Sequence, residues 1–563
     1  MASERQEKRD EHQEHAQPRL PDLNFVQDKL EKFQSNMLTD FEQRLSCMVE
    51  DVLQDLRQRE LRAHEFPNFE RSDRKSTWHN RVTSKAPADV TDSPNGHANG
   101  TSPRPPLQAQ KSGQKQRQRQ LPEKVFVARE SYLTALLQVE HMRTIYHIFY
   151  IILVMFLLNV ICHDYFVEGR IDLGLNTIRG GLRRLHWVAG VWMLEHVFVL
   201  ALYFAFRGWA LVRHKLKPHS ALRRFWSHSC LIMYISSQLV FCFVSTSLCL
   251  KFNLPFVSAC VLLLESTRLL MKMHAFVRYN AERVLGGNAK KEDVEEEKEA
   301  TGRPFVPTLS CYTYFLFAPT LIYRDSYPRT SHIRWKFALN RFLEVVAIAF
   351  LYAFIHERHI HEHFAQYGLE PMGPSQLILK LFGMMLPSSV IFLCGFYLIL
   401  HSWLNFTAEL LRFGDRMFYK DWWTSHTYDA YYRNWNVVVH DWLYEYVYKD
   451  MYNHVFRGSK VAASLAVFMI SAAVHEQVLG FALQMFFPVM FFFFGVVGVA
   501  LVFLMRSAPK VMGNIFLWFS LIMGSASLVS LYAMEHYALK NCNLSPPESW
   551  TDRLLPAVWR CYN

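Results

Sequence analysis

Two short stretches in the C-terminal third of the chain carry side chains that could perform chemistry in an apolar environment. His475 and Glu476 lie within an apolar run long enough to cross a bilayer, where an ionisable side chain is unfavourable to bury and marks a candidate functional site. Upstream, residues 435–442 read Trp-Asn-Val-Val-Val-His-Asp-Trp, and the spacing predicts that Asn436 and His440 share one helix face. A histidine can act as a general base near neutral pH, and an amide can donate to a developing oxyanion.

A second cluster, of aromatic and charged residues, lies just before Asn436. Residues 418–423 read Phe-Tyr-Lys-Asp-Trp-Trp, and three tyrosines and an arginine follow between positions 428 and 433. Aromatic residues alone would suit a membrane interface. This cluster has more polar side chains than an anchor at the membrane interface needs, so it predicts a binding surface.

Other kinds of site are less well supported. A lone membrane histidine can simply pair with a neighbouring helix, but the unusual residues clustered near His475 favour a function. The second histidine of a zinc helix is missing after Glu476, and the His-rich run 356–363 falls in a predicted short lumenal loop, so we expect no metal. The sequence has neither a Walker loop nor a Gly-x-Ser-x-Gly elbow, which leaves a covalent acyl-serine without support.

The elements that position these clusters are predicted to be membrane helices. The chain has 563 residues and is 51% hydrophobic, but residues before about position 125 are polar and charged whereas most of the rest is apolar. Nine segments have apolar lengths that suit a membrane helix; they are 145–162, 186–206, 230–250, 254–271, 337–355, 377–401, 461–481, 486–505 and 515–534. The sequence therefore predicts an all-α polytopic membrane protein with about nine transmembrane helices.

The loop after the second apolar segment sets the predicted orientation. It contains basic residues and no acidic one, namely Arg207, Arg213, Lys215, Lys217, Arg223 and Arg224. Short basic loops stay in the cytosol, so the N-terminus is predicted to be cytosolic and, after nine crossings, the C-terminus lumenal. Cys542 and Cys561 then lie in an oxidising compartment, which favours a disulfide between them.

The net charge of +11 suits cytosolic loops that face anionic lipid and anionic ligands. Because the basic residues flank membrane helices rather than form one domain patch, we expect no nucleic-acid partner.

Ahead of the membrane region the chain divides into three predicted segments. Residues 1–22 form a disordered tail, 23–62 an amphipathic helix and 63–124 a disordered linker. The helix has apolar residues every three or four positions and no partner in a membrane bundle, so we expect it to drive oligomerisation; the alternative is a helix on the cytoplasmic leaflet. Residues 125–541 form the membrane-embedded domain and 542–563 a lumenal tail.

Several runs carry a resemblance to a known family: residues 141–147, 319–329, 411–416, 418–423 and 435–442. From about residue 125 to its end, the chain resembles the sterol O-acyltransferase (acyl-CoA:cholesterol acyltransferase) family of the membrane-bound O-acyltransferase superfamily. The resemblance implies that superfamily's fold, residence in the endoplasmic reticulum membrane, and assembly into homodimers or homotetramers. It also implies fatty acyl-CoA and cholesterol or a related sterol as substrates, with no cofactor.

The same resemblance assigns roles to individual residues. It implies that His475 is the catalytic histidine and Asn436 its partner, while His440 is expected to be supporting structure. It also implies acyl-CoA or substrate contacts at Asp421, Trp422, Tyr432, Arg433, Trp435, Tyr448, Lys460 and Ser471. The chain departs from the family pattern at positions that bear on CoA contact and acyl preference: Thr424 replaces the usual Asn, Asp429-Ala430 the usual Ser-Asn, and Gln477 the usual Tyr.

The expected reaction moves a long-chain acyl group from acyl-CoA to the sterol 3-hydroxyl, giving a steryl ester and free CoA. His475 would act as general base and Asn436 would assist. One alternative is acylation of diacylglycerol or another long-chain alcohol. A different class, a proton-coupled lipid transporter, would also use a membrane histidine but would release no CoA.

Overall fold

A computed structural model describes residues 123–169, 174–286, 306–370, 372–542 and 555–561. Within these ranges the chain is helical, and its β-type pairings are isolated bridges such as that between Arg329 and Phe413. The predicted segments 1–22 and 23–62 lie outside the described residues, as do nearly all of the linker 63–124 and most of the tail 542–563.

The main helices of the described chain are α1 (Glu140–Val167), α2 (Leu185–Lys215), α3 (Ala221–Lys251), α4 (Phe256–Leu285), α5 (Leu309–Phe317), α6 (Trp335–Phe364), α7 (Pro374–Leu410), α8 (Tyr428–Trp435), α9 (Val437–Trp442), α10 (Lys460–Leu483), α11 (Val489–Leu504) and α12 (Lys510–Asn541). π-Helical turns continue α9 through Leu443–Tyr448 and Met451–Val455. Shorter helical segments are Tyr132–Leu136, Leu175–Gly181, Trp422–Thr424 and Ala557–Arg560.

Within the described ranges, seven helical segments are long and apolar enough to cross a membrane, and they include α1, α2, α3, α6, α7, α10 and α12. The apolar window of α1 is not buried in the protein at all, as expected for a helix solvated by lipid. The two remaining predicted crossings, 254–271 and 486–505, correspond to α4, which carries several charges, and to α11, which is shorter. The prediction of an all-α polytopic membrane protein is confirmed, and the count of nine crossings stays a prediction.

Lys272 shows how a charged side chain of α4 is stabilised inside the helical bundle. Lys272 is only 1% exposed, and its ammonium donates to the carbonyl oxygens of Phe315 (2.5 Å) and Ala318 (2.7 Å) at the C-terminal end of α5. A cation is favourable there because the last carbonyls of a helix lack intrahelical partners and the helix dipole is negative. Lys272 therefore locks α4 to α5, directly before the run 319–329.

At one end of the bundle, residues 123–139, 306–334 and 411–436 pack together and form what we call the loop-rich end. The backbone N–H of Arg129 donates to Gly414 (2.9 Å), whose own N–H donates to the carbonyl of Pro328 (2.8 Å). A Cβ on Gly414 would lie 2.9 Å from the Pro328 oxygen, so this approach requires glycine. Two of the runs that carry the family resemblance meet at this contact.

A buried carboxylate ties the loop-rich end together. The Glu409 side chain, at the C-terminal end of α7, has no exposed surface. It accepts hydrogen bonds from the guanidinium groups of Arg416 (2.6 Å) and Arg334 (2.9 Å) and from the backbone N–H of Arg334 (2.7 Å). Glu130 pairs with Arg334 from the other side (2.8 Å). One ion-pair network thus joins the start of α6, the end of α7 and the segment before α1.

At the opposite end, Cys542 and Cys561 form a disulfide, as the topology favours. The loop after α6 packs against it: Gly368 has φ of 92°, and a Cβ there would lie 2.6 Å from the Cys542 sulfur. The side chain of Asn541 donates to the carbonyls of Ala365 and Tyr367 (both 2.8 Å). The disulfide therefore closes a layer built from the ends of α6 and α12.

The His-rich run 356–363 is not the short loop that the sequence suggests. It continues α6 as far as Phe364, because its polar side chains find partners on neighbouring elements. His361, for example, contacts the Tyr537 hydroxyl on α12 (2.9 Å). Among the described residues, no group of three or more His, Cys, Asp and Glu side chains could hold a metal ion.

Replacing Glu409 by Ala should destabilise the fold by about 3–5 kcal/mol, because it leaves the buried guanidinium of Arg416 without its nearest carboxylate and the part-exposed Arg334 with Glu130 alone. The melting temperature of the detergent-purified protein measures this loss. Glu282→Ala is the matched control: it removes an ion pair with Arg278 (3.2 Å) in which the Glu282 side chain is half exposed, and should cost less than about 1 kcal/mol. Equal melting temperatures for the two variants would show that the Glu409 network does not stabilise the protein.

Candidate active site

His475 lies in the middle of α10, which begins at the N-cap residue Ser459. The imidazole Nδ1 is 2.7 Å from the carbonyl oxygen of Ser471, one turn earlier. A carbonyl oxygen only accepts, so Nδ1 must carry the proton, and in the neutral ring Nε2 then has a free lone pair. His475 is exposed rather than covered by neighbouring helices. The geometry presents Nε2 as a base that a bound molecule could reach.

Asn436 lies between α8 and α9 and starts the second of these helices. Its backbone, with φ of −136° and ψ of 89°, is not helical, and its side-chain Oδ1 accepts a hydrogen bond from the N–H of Val439 (3.1 Å). The N–H of His440 donates to the Asn436 carbonyl (2.9 Å), so the two residues lie one turn apart, with Asn436 as the cap of α9 rather than a residue within it. Asparagine is a strong N-cap because its short side chain can satisfy a free N–H at a helix start. With Oδ1 used in this way, the amide Nδ2 makes no hydrogen bond to any residue that the structure describes.

His440 belongs to a different environment from His475. Its ring stacks on Tyr444 with an interplanar angle of 7°, and Tyr448 continues the stack at 14° to Tyr444. The neighbouring Asp441 forms an ion pair with Lys124 (2.6 Å). Burial alone would raise the pKa of Asp441, but hydrogen bonds from His440 and Lys124 outweigh it and hold the pKa below its usual value. These contacts suit the supporting role expected for His440.

The aromatic cluster before Asn436 is packed into the protein. Trp422 is 2% exposed, and its ring centroid lies 4.6 Å from that of Trp435 and 5.1 Å from that of Phe396 on α7. Trp435 stacks on Phe392 at 4.7 Å. These two tryptophans, both predicted to contact substrate, form a core that anchors the loop before α8 to α7. Because Trp422 is almost fully buried, its ring has little surface left for a ligand.

Asp421 and Thr424 form a local turn beside this core. The hydroxyl of Thr424 lies 2.8 Å from the Asp421 carbonyl oxygen and 3.2 Å from its carboxylate. The threonine at this departure from the family pattern therefore contacts Asp421.

Tyr432, one of the predicted contact residues, shares an aromatic neighbour with His475. The ring of Phe494 on α11 lies 5.3 Å from the ring of Tyr432 and 5.2 Å from that of His475. The absence of a side chain at Gly498 permits this arrangement, because a Cβ there would lie only 2.6 Å from the Tyr432 hydroxyl. Helices α8, α10 and α11 therefore converge around Phe494.

The predicted cationic contacts lie on the surface. Arg433 pairs with Asp429 one turn earlier on α8 (2.7 Å), and both side chains are more than half exposed. Lys460 is exposed at the first turn of α10, and the half-buried Ser471 contributes its backbone carbonyl to His475. Arg433 and Lys460 form no contact with each other among the described residues.

A small pocket that opens to solvent lies at the loop-rich end beside α9. Its lining includes Lys124, Phe126, Phe418, Val438 and Asp441 but none of the predicted site residues.

Near His475, the sequence analysis missed Phe494 and the partners of Glu476. Phe494 lies in a run of phenylalanines in which nothing distinguishes one ring from another. Glu476 was visible as a carboxylate beside the histidine, but its partners, Phe491 and Tyr532, are on other helices. No local pattern could have identified them.

Comparison with known proteins agrees with the family resemblance. The profile of the membrane-bound O-acyltransferase family, MBOAT, matches residues 305–534. Sterol O-acyltransferase 1 of Mus musculus is 42% identical over 441 residues, which cover 78% of this chain and 79% of the relative. Sterol O-acyltransferase 1 of Cricetulus griseus is 42% identical over 441 residues, with 78% of each chain covered. Sterol O-acyltransferase 2 of Homo sapiens is 36% identical over 448 residues, or 78% of this chain and 81% of the relative.

Trp422 and Arg433 should respond differently to truncation. Trp422→Ala removes a buried ring and should cost about 3–5 kcal/mol of stability, whereas Trp422→Phe keeps an aromatic ring and should cost less. Arg433→Ala removes only an exposed ion pair and should leave the melting temperature nearly unchanged. Thermal unfolding of the three variants in detergent checks this; a wild-type melting temperature for Trp422→Ala would contradict the packing described for it.

Proposed function

The chain belongs to the sterol O-acyltransferase family of membrane-bound O-acyltransferases, and from that premise we propose that it esterifies the 3-hydroxyl of cholesterol or a related sterol with a long-chain acyl group from acyl-CoA. It is an acyl-CoA-dependent enzyme. The observation that carries the proposed mechanism is the hydrogen bond from His475 Nδ1 to the Ser471 carbonyl, which leaves Nε2 free to accept a proton.

In the proposed reaction, His475 Nε2 takes the proton of the sterol hydroxyl while the hydroxyl oxygen attacks the thioester carbon. A tetrahedral intermediate forms, and its negative charge is on the former carbonyl oxygen. When it collapses, the carbon–sulfur bond breaks, the steryl ester leaves, and the CoA thiolate takes the proton back from the imidazolium. General base catalysis of this kind contributes about 10²–10⁴-fold to a rate.

Asn436 is the proposed donor to the oxyanion. Because its Oδ1 caps α9, the orientation of the amide is fixed and the Nδ2 hydrogens point away from the backbone that the cap satisfies. A preorganised donor stabilises charge in the transition state without reorganisation at the moment of reaction.

We propose that the loop-rich end faces the cytosol, where acyl-CoA is available. Arg433 and Lys460 would bind its phosphates, since exposed cations can reach an anionic ligand without breaking the core. The ion pair of Arg433 with Asp429 is exposed, so exchanging Asp429 for a phosphate should cost no more than about 1 kcal/mol. Tyr432, Trp435 and Tyr448, with Asp421, Trp422 and Ser471, would shape the rest of this route.

The proposed setting is the endoplasmic reticulum membrane, with the N-terminus cytosolic and the disulfide end lumenal. The basic loop between α2 and α3 supports this orientation. Residues 23–62 are proposed to be an oligomerisation helix that joins copies of the chain into a homodimer or homotetramer, with 1–22 and 63–124 as disordered tail and linker around it.

An acceptor panel tests the activity. Given labelled oleoyl-CoA and cholesterol, the purified protein should form steryl ester and release CoA. The His475→Ala variant should lose turnover by about 10²–10⁴-fold while it remains folded and keeps the same oligomeric state. Preference for diacylglycerol would overturn the proposed acceptor. Substantial turnover by His475→Ala would overturn the proposed base.

Asn436 can be tested with substitutions that separate its two roles. Asn436→Asp keeps an oxygen to cap α9 but has no amide hydrogens, so it should melt like the wild type and lose turnover by about 10²–10³-fold. Asn436→Ala loses both roles and should also be destabilised by about 1 kcal/mol. Thr308→Ala, which removes only the N-cap of α5, controls for cap loss. Full turnover by Asn436→Asp would contradict the donor role.

A further inference from the structure

The carboxylate next to His475 is bound to a different helix. Glu476 is half-buried on α10, and its Oε2 accepts a hydrogen bond from the backbone N–H of Phe491 (2.9 Å). The hydroxyl of Tyr532 on α12 donates to the same carboxylate (3.1 Å) and accepts from the N–H of Met490 (3.1 Å). The imidazole of His475 takes no part, since it bonds to Ser471.

Both N–H groups belong to the first turn of α11. The first N–H groups of a helix have no intrahelical partners, and α11 follows Pro488, whose side chain cannot cap it. Glu476 and Tyr532 therefore supply the missing acceptors, and a carboxylate at this position is also favoured by the helix dipole. The start of α11 is held by side chains of two other helices rather than by its own sequence.

The position of α11 matters because Phe494, in its next turn, touches both His475 and Tyr432. There is little freedom for α11 to slide. A Cβ on Gly495 would lie 3.2 Å from Ala472, and one on Gly498 would lie 2.6 Å from the Tyr432 hydroxyl. A shift at the capped end would move Phe494 along the His475 ring.

We propose that Glu476 is a positioning residue for acyl transfer: it fixes the start of α11 so that Phe494 packs against His475 and Tyr432. The inference rests on the proposed role of His475 as base. Glu476 itself neither exchanges a proton with substrate nor contacts it. Its effect on turnover passes through α11.

The Glu476→Ala and Glu476→Gln pair tests this role. Alanine removes both acceptors and should lower kcat by as much as about 100-fold, the scale of a small misplacement at a reacting centre, with KM for acyl-CoA unchanged. Glutamine keeps an oxygen for the Phe491 N–H, so it should retain most of the turnover and the wild-type pH profile of kcat/KM. A Glu476→Gln variant as inactive as Glu476→Ala would mean that the carboxylate acts as an acid or base, and would overturn the inference.

Two further variants place the effect in α11. Phe494→Leu should reproduce the loss of Glu476→Ala, and the double variant should be no worse than either alone, because residues that act as a unit are not additive. Glu282→Ala is the control, since it also removes a carboxylate but from a half-exposed ion pair on α4, and should keep wild-type kcat. Additive losses in the double variant would overturn the inference.

If Glu476→Ala fails to fold, a milder variant still tests the proposal. Tyr532→Phe removes only the hydroxyl that links Glu476 to Met490 and should lower kcat without changing KM; an unchanged kcat would overturn the inference. His475→Ala separates the two proposals. If it is inactive while Glu476→Ala has full turnover, only the positioning role fails, whereas an active His475→Ala removes the proposed base itself.

Discussion

The structure depends on a carboxylate that has no contact with solvent. An ion buried this way is tolerated only when its charge is paired and its lone pairs are filled. Glu409 meets that condition with Arg416 and Arg334. These pairs hold the end of α7 beside the start of α6, and the loop after α7 turns back towards both. That loop then leads through Trp422 to Asn436. Satisfying this one buried charge therefore helps to position the segment that leads to Asn436.

The site itself is organised by a second rule, that the free N–H groups at a helix start need acceptors. It applies at the start of α9 and again at the start of α11. Asn436 satisfies the start of α9 with its own side chain, and Glu476 with Tyr532 satisfies the start of α11 from neighbouring helices. In each case the capping bond also orients a group that our proposals use: the free amide of Asn436 and the ring of Phe494. The imidazole is oriented in the same way, by a hydrogen bond to Ser471.

Much of the fold could be predicted from the sequence, because membrane helices are recognised from composition over about 20 residues. The predictions failed where a residue's partner is distant in the chain. The run 356–363 looks like a polar loop, yet His361 finds Tyr537, 176 positions away, and the helix continues. Only the structure shows that Trp422 packs against Phe396 and Trp435, whereas its contact with substrate stays a prediction.

The sequence by itself determined the class of protein, the membrane helices and the residue types available for chemistry, because these depend on local hydropathy and on side-chain identity. Only the tertiary structure decided which polar groups remain free to react. Glu476 shares an apolar run with His475, but its acceptors are used by groups 15 and 56 positions away. His475 bonds within its own helix and keeps Nε2 open. In a helical bundle, the hydrogen-bond partner of a buried side chain is determined by how the helices pack, and that partner can be far away in the chain.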